Sequence, residues 1–323
     1  MDCAGLSDSQ VDPALMYTEF YKLRRSPFDI TPDPSFLFPT GRHKEALAAL
    51  YYCIRQRKGF ALLTGEVGTG KTLLIRCLLE LFKNTDVACA YVFNSRLTTL
   101  EFLRYVVADF GLVTSGKNKS ELLHDLNHFL LSRHQNKLTT VLVIDEAHHL
   151  STDTLEEIRL LTNLETAEEK LLQILLVGQS ELSDKLDSFE LRQLKQRIAL
   201  RAHLAPLDLE DTRGYIRCRL EIAGANSEAA EMFPDETIAR IHHWSRGIPR
   251  IINIISDNAL ITAFARQATI VSPTIIDEVG SELHLNPAEP SAKPHTRSNE
   301  DKVLRVKTRL ELEDQLKNIL KSI

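Results

Sequence analysis

Hydrophobic residues in the middle of this chain follow two patterns that alternate with one another. Short runs in which nearly every residue is apolar, such as 60–63 and 141–144, are typical of strands buried on both faces of a sheet. Between these runs, apolar residues recur at intervals of three and four, as expected for helices that bury one face. The apolar runs predict strands at 60–64, 88–93, 140–145, 171–177 and 199–204. The periodic segments predict helices near 42–57, 71–83, 98–110, 119–134, 152–165 and 208–223. Strands alternating with helices indicate an α/β fold with a parallel sheet covered on both faces.

The segments on either side of this alternation have a different composition. Residues 17–40 combine aromatic residues with prolines, which block helix and sheet, and they predict an extended segment laid over a domain surface. Residues 235–284 carry three helical patterns and no apolar strand, which predicts a small helical domain. Residues 285–300 are polar and proline-containing, as in a disordered linker. Residues 301–323 predict a charged helix that either packs on its own protein or docks a partner.

The composition indicates a globular protein and does not by itself predict a function. The 323 residues are 43% hydrophobic and 26% charged, which is typical of a globular protein, and the net charge is −5. This charge argues against a protein coated in positive charge, although a local basic patch for nucleic acid remains compatible with it. The five cysteines form no C-x-x-C pair and predict free thiols in a reducing compartment. No signal peptide or long apolar stretch is visible, so we expect a cytoplasmic protein without membrane insertion.

One glycine-rich segment matches the pattern G-x-x-x-x-G-K-[ST] of nucleoside triphosphate-binding loops. It follows a predicted strand and precedes a predicted helix, as phosphate binding at a helix N-terminus requires. Its glycines let successive N–H groups converge on phosphates, Lys71 would neutralise the β- and γ-phosphates, and the Thr72 hydroxyl would coordinate Mg²⁺. A chance glycine-rich turn is the alternative. The predicted nucleotide-binding residues are Gly65, Glu66, Val67, Gly68, Thr69, Gly70, Lys71 and Thr72.

Two carboxylates follow the buried run at 141–144. As the strand would end beside the phosphate-binding loop, Asp145 is predicted to hold Mg²⁺ together with Thr72, and Glu146 to act as general base on the attacking water. Acidic residues at a helix start are the alternative. His148 and His149 follow, but no further ligands at metal-site spacing are evident, so we expect them to be supporting or surface residues.

Three further positions carry polar chemistry suited to a phosphate site. Gln179 ends another buried run and would reach the γ-phosphate or orient the water, unless it is a turn amide. Arg197 precedes the last predicted strand and is a candidate for the arginine that stabilises charge on a transferring phosphoryl group. Arg192 and Arg201 compete with it, and a solvated basic helix face is the alternative for all three. Arg250 opens a helix, where a cation is unfavourable to the dipole unless an anion such as phosphate, or a nearby acid, pairs with it.

These motifs together resemble the AAA+ ATPases of the general secretion pathway protein A, or ExeA, family. The resemblance rests on the following segments: Pro27-Phe28 with 31–37, Gly59-Phe60 into 65–72, 144–148, 176–179, 194–197 and 247–253. It implies a P-loop core with a five-stranded parallel sheet and a small helical lid domain. It also implies sensor roles for Gln179 and Arg250, an arginine-finger role for Arg197, and a place near the adenine for residues 39–43.

The resulting domain prediction divides the chain into five parts. These are an N-terminal extended segment at 1–40, a nucleotide-binding core at 41–206, a lid at 207–284, a linker at 285–300 and a helix at 301–323. Secretion members of the family continue into a transmembrane helix and a peptidoglycan-binding region, neither of which we expect here.

The predicted function is that of an oligomeric switch that binds ATP with Mg²⁺ and hydrolyses ATP. A trans-acting arginine implies head-to-tail contacts, which build a ring or an open filament. Two cellular roles remain open: assistance to a secretion, pilus or surface-assembly system through a protein partner, and ATP-dependent regulation of transposition on double-stranded DNA. The basic residues of the tail helix favour an anionic partner only slightly, because acidic residues accompany them.

Overall fold

The computed structural model describes residues 13–31, 33–83, 85–93, 97–225 and 229–287. The described chain divides into two compact units. One, the sheet unit, is Pro39–Ala205; the other, the helical unit, combines the described residues up to Phe38 with those from Pro206 onward. The predicted linker from residue 288 and the predicted helix at 301–323 lie outside the described residues.

The sheet unit is built on parallel strands that each lie within two residues of a predicted strand. The strands are β1 (Phe60–Gly65), β2 (Val87–Val92), β3 (Thr139–Ile144), β4 (Gln173–Gly178) and β5 (Leu200–Leu204). They pair in the order β2-β3-β4-β1-β5. The α/β class and the five-stranded parallel sheet expected from the sequence are therefore confirmed.

The helices of the described residues include all those predicted there and three that the pattern did not predict, namely the first one and the two between β4 and β5. In chain order they are α1 (Pro13–Phe20), α2 (Gly41–Arg55), α3 (Lys71–Phe82), α4 (Thr99–Asp109), α5 (Lys119–Gln135), α6 (Thr152–Leu161), α7 (Glu181–Leu186), α8 (Arg192–Arg197), α9 (Leu209–Ile222), α10 (Asp235–Ser245), α11 (Pro249–Ala265) and α12 (Pro273–Glu282). Short 3-10 turns at Pro34–Phe36, Ala147–His149 and Ala229–Met232 connect some of them.

Each face of the sheet is covered by a separate apolar cluster. Leu62, Leu142 and Leu176 face α4, α5 and α6, whereas their strand neighbours Leu63 and Val143 face α2 and α3. Burial of a leucine side chain of this kind contributes roughly 1.5–3 kcal/mol. Because both faces are packed, the strands need apolar residues at successive positions, which explains the continuous runs in the sequence.

The order of the strands determines which loops become neighbours. β4 lies between β1 and β3, with Thr64 paired to Gly178 and Ile144 paired to Leu176. The carboxyl ends of parallel strands meet at one edge of the sheet, where ligands bind in folds of this class. The segments that follow β1, β3 and β4 therefore meet at this edge.

The helical unit takes in the N-terminal segment. The buried Tyr17 ring packs in the same apolar cluster as Ile255 of α11, and its hydroxyl donates to Oδ1 of Asp257 at 2.7 Å. The buried guanidinium of Arg219 donates to the carbonyl oxygens of Pro27 and Asp29 at 2.6 and 3.0 Å. These contacts join the first described residues to α9 and α11.

The prediction of an extended chain throughout 17–40 is wrong at its beginning. Residues 13–20 form α1, because the prolines that block a helix lie after it, at 27, 32, 34 and 39. Pro13 occupies the first position of the helix, where its missing N–H costs nothing. Beyond Phe20 the short 3-10 turn Pro34–Phe36 is the one helical element of the described segment before α2.

None of the helices in the described part of the chain combines the length and the apolar character needed to cross a bilayer.

Candidate functional site

The glycine-rich loop links β1 to α3 at the carboxyl edge of the sheet. Gly68 and Gly70 have φ angles of +82° and +95°, a conformation that side-chain-bearing residues rarely adopt. A Cβ on Gly65 would lie 2.5 Å from the carbonyl oxygen of Leu204, so this position also requires glycine. Gly70 is the N-cap of α3 and forms no side-chain cap, which leaves the first N–H groups of the helix to bind an anion.

The ammonium group of Lys71 lies within this loop. The side chain is buried, and Nζ donates to the carbonyl oxygens of Gly65 and Glu66, both at 2.8 Å. Burial lowers the pKa of Lys71, and the carboxylates of Glu146 and Asp145 oppose this shift. A buried cation that donates to neutral carbonyl oxygens is well suited to a polyphosphate. The loop thus provides the donors and the charge that a nucleoside triphosphate requires.

Asp145 is held by three donors from different parts of the sheet unit. Thr72 Oγ1 donates to its Oδ2 at 3.0 Å, Tyr91 OH donates to the same oxygen at 2.7 Å, and the Glu146 N–H donates to Oδ1 at 2.9 Å. Adjacent ligands of an octahedral Mg²⁺ at about 2.1 Å lie about 3 Å apart, so the Thr72 and Asp145 oxygens fit neighbouring positions on such an ion.

Tyr91 was not anticipated from the sequence. It lies on β2, at the edge of the sheet, and its hydroxyl reaches across to the carboxylate that follows β3. Burial raises the pKa of the phenol above its ordinary range, as does the charge of Asp145. The phenol therefore remains a donor. A tyrosine in an otherwise apolar strand was the one available signal.

Glu146 has an unusual backbone conformation. Its φ and ψ angles are +51° and +34°, in the left-handed region, directly after β3. Its side chain is 44% exposed, and Oε2 lies 3.5 Å from Nε2 of His148. Strained conformations of non-glycine residues occur often at functional sites. The turn presents the carboxylate at the same edge as the glycine-rich loop.

His148 was expected to be a supporting or surface residue, and the structure gives it specific partners. Its side chain is 9% exposed, and Nε2 lies 2.9 Å from the amide nitrogen of the Gln179 side chain. The backbone N–H of Gln179 points to Nδ1 at 3.4 Å. Burial lowers the pKa of His148, and the neighbouring His149 lowers it further. His149 is exposed, and its ligand atom lies within 4.8 Å of those of Glu146 and His148, a grouping that could hold a metal ion.

The segment at 39–43 lies next to the glycine-rich loop. Thr40 caps α2 by accepting from the His43 N–H, and its hydroxyl lies 2.7 Å from Nδ1 of the same histidine. The buried His43 ring also bonds the backbone of Thr69. The sequence had placed this segment near a nucleotide only through the family resemblance.

The three candidate arginines have different surroundings. Arg197, at the end of α8, donates to Thr162 Oγ1 at 2.9 Å within the same unit. The guanidinium of Arg192 stacks 3.9 Å above the exposed ring of Phe189. Arg201 is exposed on β5, at the edge of the sheet. All three belong to the sheet unit.

Arg250 belongs to the helical unit and is the second residue of α11. Its side chain is exposed. The turn before it depends on Gly247, because a Cβ there would lie 1.9 Å from the carbonyl oxygen of Leu207. Pro249 occupies the first helical position, where its missing N–H costs no hydrogen bond.

Comparison with known sequences identifies part of the sheet unit. A family model described as an AAA domain matches residues 54–186. General secretion pathway protein A of Aeromonas hydrophila is 47% identical over 253 residues, which make up 78% of this chain and 45% of that protein. The matched part of this chain thus spans less than half the length of that relative.

Solved structures share the fold at low sequence identity. ORC2 of Aeropyrum pernix in ADPNP–ADP complexes has a TM-score of 0.57 and 18% identity, over 83% of this chain and 73% of its own. Drosophila ORC bound to DNA has a TM-score of 0.62 and 17% identity, over 88% and 69%. The Thermotoga maritima RuvB Holliday junction branch migration motor has a TM-score of 0.51 and 18% identity, over 75% and 68%.

Proposed function

Because this chain belongs to the AAA ATPase family of general secretion pathway protein A, we propose that it binds ATP with Mg²⁺ and hydrolyses the ATP. The observation that carries the proposal is the placement of Lys71, Thr72, Asp145 and Glu146 at one edge of the sheet. Thr72 and Asp145 are in direct contact, and the Lys71 ammonium lies within the loop beside them.

Each residue has a distinct task in this proposal. Residues 65–72 bind the phosphates through backbone N–H groups and Lys71, and Thr72 and Asp145 hold Mg²⁺. When bound, ATP and Mg²⁺ supply the polarised γ-phosphoryl group. Glu146 accepts a proton from water, and Gln179 orients that water or contacts the phosphate. Arg197 acts on the site of a neighbouring copy, and Arg250 couples the bound nucleotide to the helical unit.

The assignment has a direct test in two variants. Lys71→Ala removes the buried cation and is expected to abolish binding of a fluorescent ATP analogue. Glu146→Gln keeps the shape of the side chain but loses the base, so it should bind the analogue and release no phosphate. Lys83→Ala is the matched control, since this lysine is exposed at the end of α3. Full activity in both site variants would refute the assignment.

We further propose that the ATP cycle serves a secretion, pilus or other surface-assembly system in the cytoplasm. Support comes from the 47% identity to general secretion pathway protein A. In this role the protein assembles with copies of itself through head-to-tail contacts, which form a ring or a filament, and binds a protein partner of the assembly system.

The test of this role compares assembly with and without DNA. The Glu146→Gln variant, loaded with ATP and Mg²⁺, is sedimented alone and with double-stranded DNA at 50 and 200 mM salt. Assemblies that form with ATP and are indifferent to DNA are expected. Assemblies that require DNA and weaken steeply with salt would instead indicate the regulator of transposition.

A further inference from the structure

One imidazole ring lies between the two residues that follow β3 and β4. Nε2 of His148 is 3.5 Å from the Glu146 carboxylate and 2.9 Å from the side-chain amide of Gln179. Nδ1 of the same ring faces the backbone N–H of Gln179 at 3.4 Å. The proposed general base and the proposed water- or phosphate-contacting amide therefore share one neighbour.

The backbone makes this close approach possible. β4 ends at Gly178, and a Cβ there would lie 3.3 Å from the backbone nitrogen of His148 and 2.7 Å from Cδ2 of Leu182. The missing side chain allows the 3-10 turn Ala147–His149 to pack against the end of the strand. The His148 ring is consequently almost buried, with 9% of its side chain exposed.

The partners of the ring determine which nitrogen carries its proton. A backbone N–H can only donate, so Nδ1, which faces the N–H of Gln179, is the bare acceptor. A neutral imidazole then carries its proton on Nε2, which is also the nitrogen that the acceptor-only carboxylate of Glu146 requires. The Gln179 amide can also accept a hydrogen bond from this Nε2–H group when its oxygen, rather than its nitrogen, faces the ring.

We propose that His148, as the neutral Nε2–H tautomer, is a positioning residue that couples Gln179 to Glu146. The ring restrains the Glu146 carboxylate and fixes the orientation of the Gln179 amide. With its oxygen turned to the ring, this amide presents its NH₂ group to an acceptor in the site. The inference rests on the proposed ATPase function for its catalytic consequence, but the tautomer is a property of the protein without nucleotide.

The kinetic test separates positioning from binding. His148→Ala is expected to lower kcat by about 10- to 100-fold, as misplacement of reacting groups does, and to leave the dissociation constant of the ATP analogue unchanged. His148→Gln places an amide near the position of Nε2 and should recover part of the loss. His128→Ala, on the exposed face of α5, is the control. Unchanged kcat in His148→Ala, or weakened binding with unchanged kcat, would overturn the proposal.

A spectroscopic test uses the wild-type protein without nucleotide. With ¹⁵N-labelled histidine, long-range ¹H–¹⁵N spectra at pH 7.5 should show a protonated Nε2 and a bare Nδ1 for His148, assigned by the signal lost in His148→Gln. A protonated Nδ1, or an imidazolium, would overturn the proposal. If the wild-type protein failed to hydrolyse ATP, the proposed function would be refuted. The tautomer of His148 would still show whether the ring makes the proposed hydrogen bonds to Glu146 and Gln179.

Discussion

The hydroxyl of Tyr91 donates to the Oδ2 atom of Asp145 at 2.7 Å, and Thr72 donates to the same oxygen at 3.0 Å. The carboxylate is buried, so each donor stabilises a charge that is shielded from water. The bond also joins the edge strand β2 to the end of β3. Asp145 is thereby fixed in place before any ligand binds.

Removal of this donor should destabilise the sheet unit. Tyr91→Phe keeps the ring and loses the bond to a buried charge, so we expect a loss of about 1–3 kcal/mol in the free energy of unfolding, measured by urea denaturation. Tyr105→Phe is the control and should leave the stability nearly unchanged. It removes only a hydroxyl, and the edge-on packing of the ring against Phe93 is kept. Equal stability of Tyr91→Phe and the wild type would show that the bond contributes nothing.

The left-handed backbone conformation of Glu146 should reverse the usual order of stability between an alanine and a glycine variant. At φ +51° a side chain costs roughly 1–2 kcal/mol, which glycine avoids. We therefore expect Glu146→Gly to be more stable than Glu146→Ala by about 1 kcal/mol, although neither retains the carboxylate. Ser132, exposed within α5, provides the control pair, because alanine should exceed glycine there by about 1 kcal/mol. The same order at both positions would contradict the strained turn.

The sequence predicted those parts of the site that depend on local pattern. The glycine-rich loop, Lys71 and the two carboxylates after β3 each follow an apolar run, and parallel strands bring them to one edge. The contacts of Tyr91 and His148 were not predictable in this way, because they depend on which side chains face each other across neighbouring strands. Helix α1 was missed because the prolines that follow it dominated the composition of its segment.

Replacement of a glycine in helix α12 by alanine is expected to lower the stability, although alanine usually stabilises a helix. Gly280→Ala would gain about 1 kcal/mol of helix propensity, but its Cβ would lie 2.5–2.9 Å from the Trp244 indole. We expect a net loss of about 1–3 kcal/mol, seen as a lower melting temperature, because the ring must move. The control is Gly41→Ala in α2, whose Cβ would meet nothing within 4 Å and whose stability should not fall. A stabilised Gly280→Ala protein would show that the indole moves freely.

His43 should make the stability of the sheet unit depend on pH. Burial lowers the pKa of its imidazole below the ordinary value of 6.5, so the unfolded chain binds this proton more readily than the folded protein. The free energy of unfolding should therefore fall as the pH drops below about 6.5, by up to about 1.4 kcal/mol per pH unit for this group. The contribution is complete above that pH.

Substitution of His43 isolates its part of the pH dependence. His43→Asn should show a smaller loss of stability than the wild type between pH 7.5 and 5.5, measured by urea denaturation at each pH. His148 and His242, whose pKa values burial also lowers, contribute to the slope that remains. An unchanged slope would contradict the assignment, as would an NMR titration that places the His43 pKa at or above 6.5.

Arg197 offers a test of whether neighbouring copies complete one another's sites. Its bond to Thr162 holds the guanidinium at the end of α8, within its own sheet unit. If it acts on the next copy, Lys71→Ala and Arg197→Ala subunits are each inactive alone, but a mixture pairs intact loops with intact arginines. We expect such a mixture to recover a measurable fraction of phosphate release.

The design contains its own controls. A mixture of Lys71→Ala with Glu146→Gln should stay inactive, because every site then carries a defect of its own. Arg192→Ala and Arg201→Ala, each mixed with Lys71→Ala, test the two exposed competitors in the same way. If Arg201→Ala were the one arginine variant that is inactive by itself and active when mixed with Lys71→Ala, the role would move to the edge strand β5. Activity of Arg197→Ala without any partner would exclude this residue, because the stabilising cation would then come from elsewhere.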